Sequence, residues 1–184
     1  MVILASASPR RRELLKTVVN DFEIITADIN EEQSYNLPPL EAVIDIAKRK
    51  GLAVRKDHPN DVIISADTIV VLDNQIIGKP KDEEDAKRIL KNLSGKTHQV
   101  ITAYYIFNKE EIINNYVISE VTFNQLDDKL IDKYVASGSP LDKAGAYGVQ
   151  DNDKFPIISR VIGSVDNVIG FPIKEIKEDL DKII

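Results

Sequence analysis

Short apolar runs of strand length alternate along the chain with segments whose apolar residues recur every three or four positions, which predicts a mixture of strands and helices. Met1-Val2-Ile3-Leu4 reads as a buried strand. Ser8 then stands as an N-cap, Pro9 as the first helical residue, and Leu14, Leu15, Val18 and Val19 as the inward stripe of a helix. Phe22-Glu23-Ile24-Ile25 alternates like a short strand and leads into an acidic loop over residues 28–32 that ends at Pro38-Pro39. Residues 40–54 favour a second helix on Val43, Ile44, Ile46, Ala47 and Val54, with Gly51 weakening it. Val62-Ile63-Ile64-Ser65-Ala66 and Ile69-Val70-Val71-Leu72 are strand-like runs on either side of Asp67-Thr68, so a carboxylate interrupts a buried strand. Asp73-Asn74 predicts a hairpin turn, Gln75-Ile76-Ile77 its return strand, and Asp82 the cap of a helix carrying Ala86, Ile89, Leu90 and Leu93 up to Gly95.

In the second half, a strand over residues 99–107 is expected to pair through Asn108-Lys109 with a partner near 112–123. A helix over 127–136 closes at Gly138, and residues 140–148 form a glycine-rich passage in which backbone can approach a ligand. Ile157-Ile158 and Val161-Ile162 read as short strand pieces, Gly170-Phe171-Pro172 as a turn, and residues 173–184 as a last amphipathic helix. The expected class is therefore mixed α/β with hairpins, one domain over residues 1–184 by default, with room for two small lobes around a cleft.

Composition narrows the chemistry. Hydrophobic residues at 43% and charged residues at 29% fit a soluble globular protein, and no stretch has the length and apolarity of a secretory or membrane segment, so the cytoplasm is the simplest location. Cysteine is absent, which excludes disulfides and thiolate chemistry, and two histidines do not supply a histidine-rich zinc site. Any metal is expected to be hard and oxygen-liganded. A net charge of −6 repels nucleic acid at long range, so a polyanion would have to be held by local Arg and Lys clusters.

Such a cluster stands at the first helix. Arg10, Arg11 and Arg12 crowd a helix N-terminus whose exposed N–H groups already carry partial positive charge, and a bound phosphate would reverse that penalty. Three arginines alone are most simply a solvated basic turn, but Ser6 and Ser8 bring hydroxyls to the same turn and shift the reading toward a phosphate cradle. Asp67, flanked by buried strand residues, must be paired, metal-bound, stationed at a cleft, or used to cap backbone N–H groups, because an isolated buried carboxylate is costly. Glu31 is either a solvated loop residue or a partner of Asp67 in a magnesium site completed by substrate phosphates. Lys50 reads as a surface charge among three basic residues, whereas Lys79 is aimed by the constrained backbone of Gly78 and Pro80. Ser94-Gly95-Lys96-Thr97 lacks the glycine-rich loop of a phosphate-binding P-loop and follows a helix, so it is not read as one.

The ordered blocks Leu4-Ala5-Ser6-Ala7-Ser8-Pro9-Arg10-Arg11-Arg12-Glu13-Leu14-Leu15, Ala66-Asp67-Thr68-Ile69-Val70, Gly78-Lys79-Pro80, Leu93-Ser94-Gly95-Lys96-Thr97-His98, Pro140-Leu141-Asp142-Lys143-Ala144-Gly145-Ala146-Tyr147-Gly148-Val149-Gln150 and Asn167-Val168-Ile169-Gly170-Phe171-Pro172 resemble the Maf family of nucleoside triphosphate pyrophosphatases over nearly the whole chain. The resemblance implies a twisted, mixed, largely antiparallel sheet with flanking helices, two lobes and a cleft between them. It implies a house-cleaning hydrolysis of a nucleoside triphosphate to the monophosphate and pyrophosphate, with Mg²⁺ or, in its place, Mn²⁺ or Co²⁺. Ser6, Ser8, Arg10 and Arg11 fall on the phosphate-binding segment, with Thr68 beside it; Glu31, Lys50 and Asp67 match the catalytic acid, lysine and aspartate, Glu31 and Asp67 serving also the metal; Lys79 and Gln150 match further substrate positions. A sister subfamily that prefers 7-methyl-GTP has tryptophan after the Ser-Pro pair, where this chain has Arg10, so it resembles the dTTP/UTP type. Gly51 replaces a usual alanine after the lysine, residues 35–45 match poorly, and Asp151-Asn152-Asp153 replaces a more glycine-rich stretch. A homodimer is suggested by the resemblance alone. The rival expectation is a nucleotide-sensing regulator of cell division without significant turnover.

Overall fold

The first apolar run becomes β1 (Val2–Leu4), and Ser8 ends the turn after it, its Oγ accepting from the Arg11 N–H to cap α1 (Pro9–Lys16). This is a computed structural model, and it describes residues 1–184. The chain then forms β2 (Glu23–Ile24), α2 (Pro39–Arg55), β3 (Val62–Leu72), β4 (Gln75–Ile77), α3 (Glu83–Leu93), β5 (Thr97–Phe107), β6 (Ile112–Phe123), α4 (Asp128–Ala136), β7 (Ile158–Ile162), α5 (Val165–Ile169) and α6 (Ile173–Leu180). The sheet has seven strands, ordered β2-β1-β3-β5-β6-β7 with β4 paired to β3, and is mixed but mostly antiparallel. β1 runs parallel to both β2 and β3, whereas β3 with β4 and β6 with β7 are antiparallel. No helix is long and apolar enough to cross a membrane.

The residues group into two compact units, and β3, β5 and β6 contribute to both. The first unit holds residues 1–68, 102–117 and 170–184, with a core that joins Leu4, Leu15, Ile64, Tyr104, Phe171 and Ile176. The second holds residues 69–101 and 118–169, with a core of α3 and α4 residues packed on Val70, Val121, Phe123 and Tyr147. In that second core His98 is buried, its Nε2 2.6 Å from the Tyr147 hydroxyl, and burial lowers its pKa to about 4, so it is neutral at ordinary pH.

Several local expectations hold for the physical reasons given. Asp73 and Asn74 take φ values of 49° and 61°, as a two-residue hairpin requires. Asp82 and Asp127 cap α3 and α4 through N–H groups three residues on. Ser94-Gly95-Lys96 is the turn between α3 and Thr97, the first residue of β5, and in it the Ser94 hydroxyl accepts from the Leu126 N–H.

Other expectations are corrected. Asp67 does not interrupt a strand; β3 runs through it unbroken, because neighbouring strands satisfy its backbone whatever its side chain does. The acidic loop contains a 3-10 helix, Glu31–Asn36, started by Asn30, whose side chain accepts from the Glu32 N–H. The two strand pieces near residue 160 are one strand, α5 was not foreseen, and the last helix stops at Leu180.

Gly51 has a reason to be glycine. It lies in the interior of α2, where a Cβ would collide with the Phe107 ring and stand 2.6 Å from the Ser65 hydroxyl. The helix axis therefore lies closer to β3 and β5 than a side chain at this position permits. Glycine ordinarily weakens a helix relative to alanine, yet here Gly51→Ala is expected to lower the unfolding free energy by about 1–3 kcal/mol through overpacking. Urea denaturation followed by circular dichroism measures it, and a stabilised variant would contradict the close approach.

Candidate active site

Glu31, Lys50, Asp67 and the arginines of α1 all lie in the first unit, on the 3-10 helix, α2, β3 and α1. Asp67, at the middle of β3, points its carboxylate to Lys50 on α2, with Oδ1 2.9 Å from Nζ. The same Nζ lies 2.9 Å from Glu31 Oε1 at the start of the 3-10 helix. Lys50 is thus not a surface charge. It is an ammonium held between two carboxylates that would otherwise repel each other. Burial pushes the Asp67 carboxyl up, while Lys50 and then Arg11 oppose the shift and Glu31 adds to it.

Arg11 is buried, and its guanidinium faces oxygens of the protein. Nε donates to the Gly170 carbonyl at 2.9 Å, Nη1 to the Ala66 carbonyl at 3.0 Å and to Ser6 Oγ at 3.3 Å, and Nη2 to Thr68 Oγ1 at 3.1 Å. These bonds use four of the five guanidinium N–H groups, so Arg11 offers a ligand its charge and one remaining donor. Burial draws its pKa down, and the Asp67 charge partly restores it. Thr68 is committed in the same way: its Oγ1 is 2.8 Å from the Thr102 hydroxyl and donates to the Gly170 carbonyl at 3.3 Å. Ser6 Oγ accepts from Arg11 and from the Ser8 N–H at 3.2 Å, which leaves its own proton available to donate. Arg10 is partly exposed in the first turn of α1. Lys79 and Gln150 belong to the second unit, where both are exposed, Lys79 after β4 and Gln150 in a 3-10 turn over Val149–Asp151.

The donor set suits a hard cation. No group of three or more His, Cys, Asp or Glu side chains could hold a metal alone. Glu31 and Asp67, however, bring hard oxygens to the same Lys50 ammonium. Two carboxylates with substrate phosphates and water is the usual environment of Mg²⁺.

A family model described as Maf-like protein matches residues 1–183. The chain belongs to the Maf family. Among its relatives, a protein of Fusobacterium nucleatum named dTTP/UTP pyrophosphatase is 44% identical over 184 residues, covering 99% of this chain and 95% of the relative. A protein of Aquifex aeolicus with the same name is 44% identical over 182 residues, at 99% and 95% coverage. One from Bacillus mycoides, again so named, is 42% identical over 179 residues, at 97% and 93%.

This Maf protein also uses residues that its sequence did not advertise. Ser34, Asp45 and Arg49 hold the segment that carries Glu31, and Tyr35 is close enough to Glu31 and Asp67 that, after burial, their charges push its phenol pKa up. Asp45 and Arg49 are four residues apart on a predicted helix, so their pairing was readable, but its target on a loop without periodicity was not. Replacing Arg11 by Met would take the guanidinium donor from the Ala66 carbonyl and leave the Gly170 carbonyl with Thr68 Oγ1 alone, and the expected loss of stability is on the order of 3 kcal/mol. Equilibrium denaturation of Arg11→Met measures this, and unchanged stability would show that the buried network does not hold the fold.

Proposed function

We propose that the protein hydrolyses dTTP and UTP to the nucleoside monophosphate and pyrophosphate. The observation that carries this reading is the Lys50 ammonium shared by Glu31 and Asp67 in the unit that also holds the serine and arginine turn, and the names of the relatives support the substrates. In this reading Arg10, the remaining donor and charge of Arg11 and the hydroxyls of Ser6 and Ser8 receive the triphosphate. A water oxygen forms the new bond to the α-phosphorus, the bond from that phosphorus to the bridging oxygen of pyrophosphate breaks, and the water proton passes to the Asp67 carboxylate. A carboxyl with a raised pKa is suited to that task. Glu31 and Asp67 would hold a divalent cation, which when bound would neutralise phosphate charge. Lys50 keeps the two carboxylates together. Positioning and charge stabilisation suffice for this kind of transfer, so no covalent nucleophile is needed. In this reading the protein works on free nucleotides in the cytoplasm.

Pyrophosphate release from dTTP, UTP, CTP and 7-methyl-GTP, with Mg²⁺, Mn²⁺ or Co²⁺ and after chelation, tests the reading. Release from dTTP and UTP that chelation abolishes is expected, and no release from any nucleotide would overturn it in favour of a sensor. Asp67→Asn is expected to lower kcat by about 10²–10⁴-fold. Its melting temperature at pH 7 should be unchanged or higher. A carboxyl whose pKa is raised by folding favours the fold when protonated, and that contribution is lost as pH rises through the folded value, so at neutral pH the charge is a cost. For the same reason the acidic limb of kcat/KM should lie above the ordinary carboxyl value of 3.8.

A further inference from the structure

Glu31 sits on a segment with little to hold it: within the 3-10 helix Glu31–Asn36, Ser34 is the one buried residue. Its anchorage comes from α2. Arg49, the residue before Lys50, donates from Nε to Asp45 Oδ2 at 2.9 Å, from Nη1 to the Asn30 carbonyl at 2.9 Å, and from Nη2 to Ser34 Oγ. The Ser34 hydroxyl closes the ring by donating to the same Asp45 Oδ2 at 2.6 Å. Both contacts on the segment flank Glu31, one at the preceding residue and one three residues later. Of the three acceptors, Asp45 lies in the stretch, residues 35–45, that matches the family pattern poorly.

We propose that Arg49, with Asp45 and Ser34, is a positioning device that fixes the Glu31 carboxylate against Lys50. Adjacent residues of one helix then set both ends of the contact: Lys50 supplies the ammonium, and Arg49 supplies the backbone placement of its partner. Lysine at position 49 could keep the charge but not the planar fork that reaches three acceptors. The inference rests on the pyrophosphatase reading, since it assigns the device to the acid that reading uses.

The test is a double-mutant cycle joined to hydrogen exchange in the full-length protein. Arg49→Lys, and Ser34→Ala as the milder change, are made in the unaltered protein and in Glu31→Gln. In the unaltered background Arg49→Lys should lower kcat about 10–100-fold with little change in KM, as misplacement of a reacting group does. In the Glu31→Gln background it should lower kcat less than about twofold, because the group being positioned is gone. Exchange at the Glu32 and Leu37 amides, which donate to Asn30 Oδ1 and the Ser34 carbonyl, should quicken about tenfold while the melting temperature holds. Equal losses in both backgrounds, or unchanged exchange, would overturn the device. If the unaltered protein releases no pyrophosphate, the functional reading fails by itself, and the exchange result still decides whether Arg49 anchors the segment.

Discussion

One buried guanidinium joins three stretches of chain that are remote in sequence. Arg11 reaches the turn before its own helix through Ser6, the middle of β3 through Ala66 and Thr68, and the turn before α6 through Gly170. A buried charge is tolerable only when its donors find acceptors, and here the acceptors are mostly main-chain or hydroxyl oxygens with no charge of their own. The nearest compensating charge is Asp67, the residue between two of those acceptors. Fold and candidate site are therefore not separable at this point: the side chain that holds β3 to α1 also sets the field in which the Asp67 carboxyl ionises.

Around that anchor the charges are arranged by rigid elements. β3 supplies Asp67 from a central strand, α2 supplies Lys50 from a helix packed on that strand, and the short segment that supplies Glu31 is tied back to the same helix. Two carboxylates drawn to one ammonium are pre-organised.

Much of this was legible in the sequence because it depends on local rules. Ser8 and Pro9 announce a helix start, Asp73-Asn74 a hairpin, and apolar runs the strands, and the structure follows them. Asp67 was conspicuous because a carboxylate amid valines and isoleucines demands a partner. The identity of that partner was not local. Lys50 looks like its neighbours Lys48 and Arg49, and only the packing of α2 on β3 distinguishes the three. Arg11 likewise resembles Arg10 and Arg12, yet it alone of the three is buried, because helical periodicity turns it toward β3 with Leu15. The holding of Glu31 by Arg49 was hidden for a further reason: its acceptors include a backbone carbonyl, which no residue type reveals.

The close approach at Gly51 reaches beyond the stability of one helix. Residues 51 and 107 come from different elements and share one small volume, so a methyl group gained at the first must be given up at the second or accommodated by moving α2 away from the sheet. Moving α2 would carry Lys50 with it, away from Asp67. An alanine after this lysine requires a smaller or turned ring on β5, or a helix set further from the sheet. The freedom of the lysine helix to drift in sequence is thus governed by an aromatic residue that takes no part in the chemistry.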